Sequence, residues 1–127
     1  WGAALRSVGT SIGDQPDGLS DQVLHQAIAA AMGTIQTLGK ARLGDKTMLD
    51  ALEPFVRAMG EALESGKGLG ESWEAAAVAA TDAAQATAEL TPKIGRARPL
   101  AERSVGTPDA GATSLALVFT TLTPFFR

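Results

Sequence analysis

The 127-residue sequence has no cysteine, a single histidine and only 5% aromatic residues. Without cysteine there is no disulfide framework and no thiolate metal site. That composition fits a reducing cytoplasm, the compartment expected here. The lone His25 has no second His or Cys to share a metal and no Ser-His-Asp spacing around it. It is read as structural or solvent-facing rather than catalytic. With so few rings and 45% hydrophobic residues, any core must be aliphatic and rich in alanine. No apolar run approaches the roughly 20 residues that span a bilayer. No charged segment precedes an apolar one in the manner of a secretory signal. Excess positive charge is missing too: the net charge is -3, with a pI near 5.0. That balance speaks against broad nucleic-acid binding. βαβ alternation, internal repeats and long disordered tracts are likewise absent.

What is present is helical periodicity. Trp1, Leu5, Val8 and Ile12 follow a helical stripe with no cap and no initiator Met before them. The chain is therefore expected to begin inside a helix and to be the C-terminal part of a larger domain. The run from Gly13 to Gly18, with Pro16 inside it, breaks that helix. Ser20 caps the next one, with Asp21 in its first turn. Leu24, Ile28, Ala31, Ile35 and Leu38 give it one apolar face, and Gly39 is a C-terminal stop. A loop with two glycines follows, with Asp45 or Thr47 as cap for a helix marked by Met48, Leu52, Phe55, Met59 and Leu63. Pro54 lies inside that stripe and should kink the helix or delay its start.

Ser65 to Gly70 reads as a flexible turn. Residues 71–90 form the clearest helix, because alanine dominates them and is the strongest helix former. Trp73 is expected to anchor packing near its start. Residues 109–123 form the last helix. Its apolar residues Leu115, Leu117, Val118, Phe119 and Leu122 occupy more than one face, which predicts a central position. Pro124 ends it. The expected fold class is all-α, a bundle of about five helices joined by short loops.

Two loops carry candidate chemistry. Lys93, Arg96, Arg98 and Arg103 cluster in a Gly- and Pro-containing stretch before Asp109, which can cap the following helix. Guanidinium groups in such a loop suit a phosphate or carboxylate, and the helix's first amides point outward. The bland alternative is a solvated loop with surface ion pairs. In the other loop, Thr47 and Met48 offer a hydroxyl and a soft apolar surface to a ligand at a helix mouth. The alternative there is a capping Thr and a core Met.

Gly44-Asp45-Lys46-Thr47-Met48 forms the first of two motifs. The second comprises Gly95-Arg96-Ala97, Glu102 through Gly106, and Pro108 through Ser114. In this order, about fifty residues apart, they resemble the nucleotide-binding L subunit of dihydroxyacetone kinases. The same domain forms the C-terminal half of the single-chain, ATP-dependent enzymes. The resemblance covers essentially the whole sequence. It implies an antiparallel barrel of eight amphipathic helices with ADP or ATP bound at one end. It makes residues 1–127 the C-terminal portion of one nucleotide-binding helical domain. The positions it assigns to nucleotide contact are Gly39, Met48, Arg96, Asp109, Ala110 and Gly111, and the Thr47 hydroxyl joins them as a candidate from its place at the helix mouth. Ala110 stands where the family commonly has Pro, a departure that loosens the turn and keeps its amides.

The resemblance further implies Mg²⁺ held by an aspartate cluster in a Gly-Asp-x-Asp-x-Gly-type loop, a pattern that does not occur in this sequence. Its ligands are expected upstream of Trp1. Asp14 and Asp17 match a surface turn after that loop and are not assigned to metal. No catalytic residue is assigned to this stretch, and alone it is expected to be inactive. The implied chemistry is phosphoryl transfer to a small ketose such as dihydroxyacetone. The ketose would be captured through a His on a K subunit or domain. A phosphotransferase-system M subunit would be a further partner where ADP stays bound as coenzyme. Two other readings stay open: a regulatory domain that signals nucleotide state to a transcription regulator, and a non-catalytic helical scaffold.

Overall fold

The computed structural model describes residues 2–12, 20–91 and 105–126. Among them are five α-helices, two short 3-10 turns and no strand. The helices are α1 (Gly2–Ile12), α2 (Asp21–Gly39), α3 (Leu49–Glu64), α4 (Leu69–Ala86) and α5 (Ala110–Leu122). The expectation of an all-α bundle of about five helices holds. Trp1, the Gly13–Gly18 breaker with Asp14 and Asp17, and the cluster Lys93, Arg96, Arg98 and Arg103 lie outside the described residues.

Each boundary has a local cause. Ser20 caps α2, its hydroxyl accepting from the Val23 amide at 3.1 Å. Gly39 is the last residue of α2, but the left-handed residue that follows is Lys40, with φ 51°. The α3 C-terminus closes as a Schellman motif. The Gly66 amide bonds the Leu63 carbonyl, and the Lys67 amide bonds that of Ala62. Gly66 supplies the left-handed φ of 88° that this motif needs. The connection to α4 is then so short that α3 and α4 must form an antiparallel helical hairpin. Pro54 lies within α3 and does not delay its start at Leu49. Its cost is the one backbone bond that a proline cannot donate.

The core follows the helical stripes. On α3 it takes Leu52, Phe55, Val56 and Met59; on α4 it takes Trp73, Ala76, Ala77, Ala80 and Ala84. Alanines on that face of α4 let α3 approach closely. Four of the chain's six aromatic residues converge there. Phe55 stacks on Phe119 with centroids 3.7 Å apart, and Trp73 meets Phe55 edge-on at 4.9 Å. Phe126 lies against the Trp73 ring at 4.2 Å. The Trp73 indole N–H donates to the Phe119 carbonyl at 2.9 Å, tying α4 to α5. Trp73 is thus the anchor that the sequence indicated.

His25 is structural. Its Nε2 bonds the Val56 carbonyl at 2.9 Å, and its ring covers Gly60 of α3. A Cβ at Gly60 would sit 3.0 Å from that nitrogen, so this residue's lack of a side chain makes the approach possible.

Two expectations need correction. Leu38 is 68% exposed. Its place in the last turn of α2 puts it beyond the part of the face that Leu24, Ile28 and Ala31 bury. α5 is not central: it buries one face through Ala112, Leu115, Ala116 and Phe119, while Leu117 and Val118 are exposed. Beside α5 lies an apolar cavity of about 290 Å³, bounded by Leu5 and Val8 of α1, Ile28 of α2, Met48, and Val118 and Leu122 of α5. No helix among the described residues is long and apolar enough to cross a membrane.

Candidate functional site

The loop between α2 and α3 is a knot of backbone amides held by carboxylates. The Arg42 amide donates to Asp45 Oδ2 at 3.0 Å, and the Asp45 amide returns a bond to the Arg42 carbonyl at 3.1 Å. Gly44 and Lys46 both have left-handed backbones, with φ of 88° and 60°. Glycine adopts that region freely, whereas a lysine needs the surrounding structure to hold it there. Lys46 is buried.

The start of α3 is a variant of the capping box. Thr47 Oγ1 accepts from the Leu49 amide at 3.2 Å, and Asp50 Oδ2 reaches back to accept from the Thr47 amide at 2.9 Å. Asp45, the other cap candidate, serves the preceding turn instead. Met48, between Thr47 and the helix, has right-handed backbone and no side-chain cap.

The segment before α5 is pinned from the other side. Asp109 caps α5, with Oδ2 accepting from the Ala112 amide at 2.8 Å. The Asp109 amide donates to the buried Thr87 hydroxyl at 2.7 Å, and that hydroxyl donates to the Ala84 carbonyl. The Gly106 amide bonds the Ala88 carbonyl at 2.6 Å. Two anchors therefore fix residues 106–109 on the turn that ends α4. With the Asp109 and Ala112 amides taken, the outward first-turn amides of α5 are those of Ala110 and Gly111.

These two segments meet. A Cβ built on Gly111 would lie 3.5 Å from Met48 Cβ, 3.6 Å from the Met48 amide nitrogen and 3.1 Å from Asp109 Oδ2. Thr47, Met48, Asp109, Ala110 and Gly111 are thus brought together, although more than sixty residues separate the two groups in the chain. Met48 is half-buried and packs against the apolar core, so its side chain does at least the work of a core Met. Gly39 is exposed, and a Cβ there would meet nothing within 4 Å. Arg96 lies outside the described residues.

Sequence reasoning missed Asp50 and Thr87. Asp50 had a signal, the Thr47-x-x-Asp50 capping-box spacing. Thr87 had none, because its partner lies 22 residues away.

Magnesium, which the resemblance implies, does not fit the described donor set. Asp45, Asp50 and Asp109 each spend carboxylate oxygens on backbone amides. Among the described residues no group of three His, Cys, Asp or Glu side chains converges as a metal site would require.

The sequence profile described as the DAK2 domain matches residues 1–124. The chain is 50% identical over 120 residues to the L-erythrulose kinase of Pectobacterium atrosepticum, covering 93% of this chain and 20% of that protein. It is 52% identical over 119 residues to the D-erythrulose kinase of Mycolicibacterium smegmatis, covering 92% of this chain and 20% of that protein. Identity is 37% over 97 residues to the ADP-binding subunit DhaL of the PEP-dependent dihydroxyacetone kinase of Escherichia coli, covering 76% of this chain and 46% of that subunit. The chain spans only about a fifth of the erythrulose kinases it matches. With all but its last three residues matched, the chain belongs to the DAK2 domain family.

Proposed function

We propose that this chain is the nucleotide-binding part of a kinase that transfers a phosphoryl group from ATP to a small ketose, with erythrulose the favoured substrate. The observation that carries the reading is the meeting of Met48 with Gly111. It joins the two motifs that the resemblance assigns to the nucleotide, at a helix mouth where the Ala110 and Gly111 amides point outward. Met48 would present a polarizable edge to adenine. The outward amides and the Arg96 guanidinium would take up phosphate charge, and an arginine stays charged at working pH.

In the reaction a ketose hydroxyl oxygen attacks the γ-phosphorus. The bond to the β–γ bridging oxygen breaks, ADP leaves, and the hydroxyl proton passes to a base beside the ketose. Such transfer is catalysed mainly by positioning and charge stabilisation, and this chain's share is to hold and orient the nucleotide. The ketose itself would sit on a K-type domain or subunit.

The higher identities to relatives named erythrulose kinases than to relatives named dihydroxyacetone kinases support erythrulose as the substrate. The test is ADP release by the intact protein given ATP with L- or D-erythrulose, or with dihydroxyacetone. Faster turnover of an erythrulose is expected. The absence of ketose-dependent ADP release would contradict the reading, and a preference for dihydroxyacetone would correct the substrate.

A further inference from the structure

We infer that Asp50 is a positioning residue for the nucleotide: it holds the Gly44–Met48 loop in the one shape that sets Met48 against Gly111. The inference rests on the nucleotide reading above.

Asp50 does more than an ordinary capping carboxylate. Oδ2 accepts from the Thr47 amide at 2.9 Å, the reach-back bond of a capping box. Oδ1 accepts from the Gly44 amide at 2.6 Å, at the far side of the loop. One buried carboxylate thus clamps both ends of the turn Gly44-Asp45-Lys46-Thr47. Inside that turn are two left-handed residues, and one of them is Lys46, whose side chain disfavours that backbone. A turn of this shape does not persist on local preference alone. Bonds from amides to an ionised carboxylate are about twice as strong as neutral ones. The carboxylate also opposes the positive end of the α3 dipole from the first turn of that helix.

The clamp ends where the candidate site begins. Thr47 is followed at once by Met48, whose amide nitrogen and Cβ lie against Gly111. If the Gly44 bond is lost, the left-handed pair can relax. The Thr47–Met48 backbone then moves relative to the first turn of α5, and the nucleotide meets a looser wall. Asp50 would touch no part of the nucleotide, so its effect should fall on binding and leave the chemical step alone. An interaction made equally in the ground state and the transition state moves KM and not kcat.

The test uses the intact protein, with Asp50→Asn as the isosteric change and Asp50→Ala as the deletion. The amide of Asp50→Asn retains one acceptor and turns a donor towards a second donor, so it breaks one arm of the clamp. ADP titration should show Kd raised about tenfold for Asp50→Asn, in keeping with the loss of one charged hydrogen bond. KM for ATP should rise by a similar factor, with kcat at saturating ATP within about twofold of wild type. Amide hydrogen exchange across residues 42–48 should accelerate in the same variant without ligand. A merely structural role would instead reduce the active fraction, lowering apparent kcat at unchanged KM, and that result overturns the inference. So does an Asp50→Asn protein that binds ADP as wild type does. If wild type itself binds no ADP, the nucleotide reading fails first and the inference falls with it. Should Asp50→Ala fail to fold, Asp50→Asn alone decides.

Discussion

Thr87 offers a sharp test of how the α5 mouth is held in place. Its hydroxyl accepts from the Asp109 amide at 2.7 Å and donates to the Ala84 carbonyl, and the residue is 1% exposed. Thr87→Val keeps the shape and removes both bonds. The Ala84 carbonyl keeps a backbone donor, the Thr87 amide, so the larger loss is the Asp109 amide, left without its acceptor. Stranding such a group costs about 1–3 kcal/mol, with about 2 kcal/mol expected here. Thr87→Ser makes the opposite cut, keeping the hydroxyl and losing one buried methyl, for about 1 kcal/mol. For a domain of this size each kcal/mol moves Tm by roughly 3–5 °C. Thermal unfolding followed by helical circular dichroism should therefore place Thr87→Val some 3–5 °C below Thr87→Ser, about 1 kcal/mol apart. ADP affinity should fall in Thr87→Val and hold in Thr87→Ser, because only the first releases Asp109. Equal destabilisation by the two variants would show that Thr87 acts through packing, and the hydroxyl pin would be refuted.

The remaining predictions concern the core. Gly60→Ala gains about 1 kcal/mol of helix propensity but displaces the His25 ring and its bond to Val56, leaving a net change near zero. In a His25→Ala background the same change should stabilise by about 1 kcal/mol, and additive effects across that double-mutant cycle would sink the idea. Trp73→Phe removes the bond to the Phe119 carbonyl and part of the ring cluster, which should cost about 2 kcal/mol in urea denaturation. A loss below about 0.5 kcal/mol would mean that the indole N–H contributes little to joining α4 and α5.

Much of this molecule is legible in its residues because a helical bundle buries stripes. Leu24, Ile28, Phe55, Met59 and the alanines of α4 lie where 3.6-residue spacing puts them. Ser20 and Asp109 cap as their side chains dictate. Leu38, Leu117 and Val118 were misread for one reason: an apolar side chain states a preference for burial, not which neighbour will cover it. Within the site, the Met48 and Gly111 segments could be named from their motifs, but their contact spans the fold and is settled by packing. Asp50 was readable only as half of a capping box. Its second bond, to Gly44, depends on left-handed turns that no periodicity encodes.

The central claim is that this domain holds an adenine nucleotide through Met48, the first turn of α5 at Gly111, and Arg96. A calorimetric titration of ADP into the intact protein and two variants tests it most directly. Arg96→Ala should weaken binding by about 1.5–3 kcal/mol, the worth of a hydrogen bond to a charged group. Arg57→Ala is the control: its side chain is 64% exposed and lies 4.0 Å from Glu53, a surface pair on α3 worth little. Its ADP affinity should match wild type. If wild type binds ADP and the two variants lose affinity equally, or Arg96→Ala loses none, Arg96 takes no part in holding the nucleotide. If wild type binds no ADP, Met48 and Gly111 do not form a nucleotide site.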